Sequence, residues 1–179
     1  MNCPKCNEPT LKATELETGL VAAECSSCHG NLISLFSFRF WSSNLDLKTS
    51  PHINNLPIES DDSNKVIICS KCSRIMLKYR IGLDQKNKLD LCSNCDDVWL
   101  DKGEWRLLKN LGIHTQLAQI TTEVWQKGLR KQRQWNIEKS RYEKILGEKD
   151  FSKVEEFYIW LEKHPEKQHI KQFILLKTH

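Results

Sequence analysis

A small α+β fold is predicted for this 179-residue chain: two short antiparallel hairpins, each closed by four cysteines, and a helical C-terminal region after them. Three features predict it. All eight cysteines fall in C-x-x-C pairs, Cys3 with Cys6, Cys25 with Cys28, Cys69 with Cys72 and Cys92 with Cys95. Short stretches of alternating polarity separate the first pair from the second and the third from the fourth. From Glu104 onward glycine is sparse, Pro165 is the only proline, and apolar residues recur at helical intervals.

The bulk numbers agree with a folded, water-exposed chain, with 39% apolar and 28% charged residues. The longest apolar stretch, residues 32–40, contains Arg39 and falls well short of the roughly 20 residues that cross a bilayer. No membrane segment is expected. Cys3 follows the initial methionine by two residues, which leaves no room for a secretory leader before it and makes the reducing cytoplasm the expected compartment. Thiols stay reduced there, so paired cysteines read as metal ligands before they read as disulfides.

Four segments follow in order. Residues 1–44 form a first cysteine ribbon with an apolar extension, and its two strands turn about Thr18-Gly19. Residues 45–65 are polar, carry two prolines and read as a linker. Residues 66–110 form a second ribbon, turning near Asn87 and running into a helix. Residues 111–179 form the helical region. The aromatic run Leu35, Phe36, Phe38, Phe40 and Trp41 would be an exposed patch on an isolated ribbon, so it is expected to dock on the C-terminal part.

Eighteen residues lie between Cys6 and Cys25 and nineteen between Cys72 and Cys92, both within the window for a four-cysteine zinc site. Each C-x-x-C makes a tight knuckle that presents two thiolates at about 2.3 Å from the metal, and two knuckles complete a tetrahedron. Two structural zinc ions per chain are therefore expected, one on Cys3, Cys6, Cys25 and Cys28, the other on Cys69, Cys72, Cys92 and Cys95. So small a ribbon buries little apolar surface, so the metal would supply much of its folding free energy. Iron on four sulfurs stays open, because spacing does not choose the metal. A disulfide framework needs an oxidising compartment, and a thioredoxin-type pair needs one C-x-x-C in an α/β pattern. His29, His164 and His169 read as surface or packing residues.

After Cys95 come Trp99, Leu100, Asp101, Lys102, Gly103 and Glu104, in which Asp101 reads as a helix cap and Glu104 reaches back three residues. These residues resemble the bacterial transcription factor IIB-type zinc ribbons, whose pattern is C-P-x-C-G, a hairpin, C-x-x-C-G-G and then W-L-D-x-G-E. The second ribbon carries the ending at Trp99, Leu100, Asp101, Gly103 and Glu104. The first carries the opening, Cys3-Pro4-x-Cys6, and His29-Gly30, but has Leu32, Ile33, Ser34, Phe36 and Ser37 where the ending would fall. Ser34 is placed to cap a helix there. Asn7 and Ser73 stand where the pattern has glycine after the second cysteine, and Asp96-Asp97 replaces the glycine pair. The resemblance spans residues 3–41 and 69–108 and implies zinc binding; it names no activity.

Helices are expected over 102–110 and 115–146, with a break near Gly112. On the longer one Leu117, Val124, Gly128, Trp135, Tyr142 and Leu146 share a face, opposite Arg130, Arg133, Ile137, Arg141 and Lys144. Trp125 and Trp135 read as core anchors. Ser152 and Glu155 read as a capping box for a third helix ended by His164-Pro165, and Ile170, Phe173, Ile174 and Leu176 mark a last one. Residues 127–149 carry eight basic and three acidic side chains. Arg130, Arg133, Arg141 and Lys144 thus make a stripe suited to phosphates or an acidic partner.

The function this implies is a zinc-stabilised binding module whose partner is nucleic acid or protein, with no membrane contact. The pI near 8.6 and the acidic pair Asp96-Asp97 favour protein. Four cysteines close each site, and the chain has no Gly-rich phosphate loop, nucleophile elbow or H-E-x-x-H, so no enzyme is expected, and a thiol-based redox or zinc-release sensor is the lesser alternative.

Overall fold

The computed structural model describes residues 1–7, 10–45 and 65–176, with six strands and six α-helices among them. Nearly all of the linker reading, residues 46–64, lies outside the described residues. The chain divides into two compact units, Met1–Arg130 and Lys131–His179.

In the first unit both hairpins form where alternation places them. β1 (Lys12–Glu17) and β2 (Leu20–Glu24) turn at Thr18-Gly19, and after β3 (Asn31–Ser34) come β4 (Leu77–Arg80) and β5 (Lys88–Cys92). β3 and β6 (Asp97–Leu100) follow the last cysteine of each half and pair antiparallel with one another, Leu32 opposite Trp99 and Ile33 opposite Val98. One six-stranded sheet results, in the order β1-β2-β3-β6-β5-β4. The two halves therefore do not move as separate ribbons.

Strand alternation sorts the sheet's two faces. Ile33, Val98 and Leu100 join the main core, whereas Leu32 and Trp99 belong to a second cluster with Cys3, Cys25, Cys69 and Cys92. Helices cover the first face. α1 (Leu35–Ser43) buries Leu35, Phe38 and Trp41, and the rings of Phe38, Trp41 and Trp105 stand 5.6–6.5 Å apart. The aromatic run thus docks on Trp105 of the 66–110 segment as well as on Leu117 and Ile120 of the C-terminal region where docking was expected, while Phe36 and Phe40 stay exposed. Ser34 stands at the N-cap position of α1 but makes no side-chain cap bond.

α2 (Glu104–Asn110) begins at Gly103, whose φ of 84° is left-handed and favours glycine. Of the expected capping box, the Glu104 carboxylate accepts the Asp101 N–H at 2.8 Å. Gly103, not Asp101, is the N-cap residue, because the Asp101 carboxylate receives the Trp99 indole N–H at 3.1 Å and Lys5 at 3.0 Å.

The long helix expected over 115–146 is broken. A 3-10 turn (His114–Gln116) and the short α3 (Leu117–Ile120) bury Leu117 and Ile120 in the core, and α4 starts afresh at Glu123–Leu146. Val124, predicted to share a face with Leu117, is 82% exposed. Thr122 makes the new start by accepting the Trp125 N–H on its hydroxyl at 3.3 Å. Trp125 packs partly buried against the core. Gln126 covers the β4 edge: its amide oxygen accepts the Arg80 N–H at 3.2 Å and its amide nitrogen donates to the Arg80 carbonyl at 2.9 Å.

In the second unit α5 (Glu148–Lys163) and α6 (Lys167–Leu176) follow α4. Ser152 lies inside α5, so the expected capping box there does not exist. The helix begins after Gly147, and Glu148 and Asp150 in its first turn complement the helix dipole instead. His164 ends α5 in extended conformation before Pro165, as expected. Trp135 is no core anchor; it is 55% exposed and lies 5.8 Å from the Tyr158 ring. Among the described residues no helix is long and apolar enough to cross a membrane.

Candidate metal centres

The chain brings all eight cysteines together as two groups, Cys3, Cys6, Cys25 and Cys28, and Cys69, Cys72, Cys92 and Cys95. Within each group the sulfurs lie within 4.8 Å of one another. Each knuckle is built by the same local device. The residue after its second cysteine donates its N–H to the carbonyl of the first, at 2.8–2.9 Å for Asn7, His29, Ser73 and Asp96. Closing that turn requires a left-handed backbone, and these four residues have φ of 55–59°. In the first group the Cys6 and Cys28 amides also donate to the sulfurs of Cys3 and Cys25, at 3.3 and 3.5 Å.

The donor set fits a tetrahedral ion. Sulfurs held at about 2.3 Å from a common centre stand about 3.8 Å apart along a tetrahedron edge. The observed separations are 3.7 Å for Cys3 and Cys28, 3.9 Å for Cys69 and Cys95, and 3.5 Å for Cys72 and Cys92. Cys3, Cys25, Cys69 and Cys92 are buried, so the inner half of each group is shielded from solvent.

Electrostatics resist four charges in so small a space. Burial and the neighbouring thiols push the Cys28 thiol up, and burial dominates in raising Cys3 to about 11. Hydrogen bonding to Cys72 is the main cause that raises Cys95 to about 12. Burial opposes ionisation of Cys25 too, but the Cys28 and Ser27 amides and the adjacent thiols bring it down to about 7. The Arg74 amide does most to bring Cys72 down to about 7. A cation is what allows the remaining thiols to ionise.

Cations of the chain already stand nearby. Lys5 and Lys71 occupy the third position of Cys-Pro-Lys-Cys and Cys-Ser-Lys-Cys. Lys5 reaches the buried Asp101, and Lys71 reaches the buried Asp97 at 2.8 Å, which raises the Lys71 pKa. Sequence reading misses both pairs, although the lysine shared by the two knuckles is an available signal. Gly30, part of the resembled motif, has a reason the sequence does not show: a β carbon there would run into the Trp99 ring.

The acidic pair Asp96-Asp97, expected to favour protein contact, is corrected by the structure. Asp97 is buried on Lys71, and Asp96 is held by Arg39 of α1. His29 lies beside Glu24 at 3.2 Å, outside either cysteine group. In the basic stripe Arg130 pairs with Glu123 at 2.7 Å and Arg141 approaches Glu138 at 3.8 Å, while Arg133 and Lys144 are exposed on the same helix.

Comparison with protein-family models, curated proteins and solved structures yields no match. Fold and site together define an α+β protein with a six-stranded antiparallel sheet and two four-cysteine groups, each of which could hold a metal ion.

Proposed function

We propose that this chain is a zinc-binding scaffold of the transcription factor IIB-type ribbon kind, with two structural ions that hold its sheet and a macromolecule as its partner. The observation that supports this most is the pair of four-sulfur groups, in each of which all four sulfurs lie within 4.8 Å of one another. Four thiolates fill a tetrahedral zinc, leaving no position for water or substrate, so the ions act on stability and not on a reaction. The chain's residues orient the sulfurs through the knuckle amides, and Lys5 and Lys71 add positive charge beside them.

For the partner, the protein reading is favoured over nucleic acid. Two of the four stripe cations, Arg130 and Arg141, lie near glutamates of their own helix, which reduces the positive potential open to phosphates.

X-ray absorption at the zinc edge tests the metal reading, with four sulfurs at about 2.3 Å expected in each site. A first shell containing oxygen or nitrogen overturns the structural role. Binding to nucleic acid that falls steeply with salt and disappears on charge reversal at Arg130, Arg133 and Arg141 would replace the protein partner with a phosphate backbone.

A further inference from the structure

The second unit leaves its apolar side chains in solvent. Among its described residues only Leu161 is buried, too small a core for so short a unit to hold alone. Trp135, Tyr142 and Leu146 on α4 and Val154, Tyr158 and Ile159 on α5 are 41–55% exposed. All six line one groove of about 560 Å³ along the α4–α5 seam. At about 200 Å² per large side chain they present roughly 600 Å² together, most of the ~800 Å² that each partner contributes to a standard interface.

We propose that a second copy of this chain covers the groove, the two α4–α5 hairpins packing face to face as a four-helix bundle. Charge selects both the occupant and its orientation. Lys139 and Glu155 line the groove and pair with one another across the seam. Lys131 lies four residues before Trp135 and so shares the groove face of α4, giving that face a basic row. Glu148 lies seven residues before Glu155 and shares its face of α5, making that face acidic, while Glu162, seven residues after, is held within its own chain by Lys167 and Lys171 of α6. The one acidic residue lining the groove from α4, Glu138, is engaged within its own helix by Gln134 and Arg141.

A two-fold axis running along the helices lays each α4 over the partner's α5, so that the basic row of one chain meets the acidic row of the other. An axis across the helices would stack α5 on α5 and bring glutamates against glutamates. The first arrangement is therefore the one that closes, and it repeats between chains the Lys139–Glu155 pairing already made within one. This inference uses only the helices and stands whatever occupies the cysteine sites.

Light scattering on the purified full chain at about 100 µM should give the mass of two chains, twice 21.0 kDa. Chains grown in heavy nitrogen are then mixed with unlabelled ones and treated with a zero-length carbodiimide cross-linker. Heavy–light peptides should join the α4 lysines to the α5 glutamates. Lys131→Glu, which leaves the Lys139–Glu155 pair intact, should weaken association roughly tenfold because a two-fold axis doubles each contact. The mass of one chain, a dimer whose heavy–light links join other segments, or association that ignores Lys131→Glu overturns the proposal.

Discussion

Leu32 of β3 and Trp99 of β6 stand opposite each other where the two halves of the sheet meet. Around this pair Asn31 faces Leu100 and Ile33 faces Val98, a symmetric arrangement about the seam. Both side chains pack in one cluster with cysteines of both metal groups, and Trp99 is fully buried. The seam should therefore couple the two sites. Trp99→Ala is expected to cost about 3–5 kcal/mol, the usual loss for a buried aromatic. Denaturant unfolding of the metal-loaded protein should show one transition for both halves. Two separate transitions, or a Trp99→Ala cost below ~1 kcal/mol, would contradict the coupling.

Gly30 makes a second test of the same packing. An added β carbon overlaps the Trp99 ring, so Gly30→Ala must displace a buried indole and should cost about 1–3 kcal/mol. Gly128, within α4, has open space where a β carbon would stand, with no atom within 4 Å, and Gly128→Ala should add up to about 1 kcal/mol of stability. Thermal melts of the two variants should move in opposite directions.

The knuckle turns hold Ser73 at φ 59°, a conformation that costs a side-chain-bearing residue roughly 1 kcal/mol. Ser73→Gly should relieve most of that strain and raise the melting temperature, whereas Ser73→Val should lower it and loosen the metal. Equal stability of the three proteins would mean that the turn is not under strain.

Glu17 of β1 ties the first half to α2. Its carboxylate accepts the Trp105 indole N–H at 2.9 Å and meets Lys109 at 2.6 Å. Burial raises its pKa, but the bonds from Lys109 and Trp105 outweigh this and hold it below the ordinary carboxylate value of 4.5. A depressed carboxylate contributes stability above its unfolded pKa and loses it as pH falls through the folded one. Glu17→Gln should therefore be less stable than the natural protein near neutral pH, and the gap should close below about pH 4. A gap that stays unchanged through the acid range in which the metal is still bound would remove the charge from the explanation.

Much of this arrangement is legible from local spacing. The eight cysteines of the two groups and both hairpin turns follow from intervals of a few residues, and the left-handed positions at Asn7 and Ser73 are where the resembled pattern has glycine. The joined sheet is not legible, because residues 31–34 and 97–100 hold only two and three apolar residues in succession, too few to tell helix from strand. Their pairing across more than sixty residues leaves no local trace. The break near Thr121 is hidden for a related reason: Leu117 and Ile120 answer to the core beneath α1, not to the periodicity of the helix that follows. Asp96 and Asp97 look like free charge in the sequence only because Arg39 and Lys71 are distant along the chain.

Metal loading should be strongly pH dependent, and its direction follows from the thiols. In the metal-free groups Cys25 and Cys72 are set to about 7, while Cys3 and Cys95 are held up at about 11 and about 12. Each group thus keeps at least one thiol protonated at neutral pH, and a metal that needs four thiolates must expel such protons. Protons compete for the same sulfurs, so loading is favoured above pH 7 and lost as the pH falls. Calorimetric zinc titrations at pH 7 in buffers of different ionisation heat should show net release of about one proton or more per ion. Removing zinc with a chelator at that pH should unfold the sheet, read as loss of far-ultraviolet circular dichroism. Proton release near zero would mean that the thiolates are preformed, and a sheet intact after complete metal removal would mean that the cores beneath α1 and around Trp99 hold it without an ion.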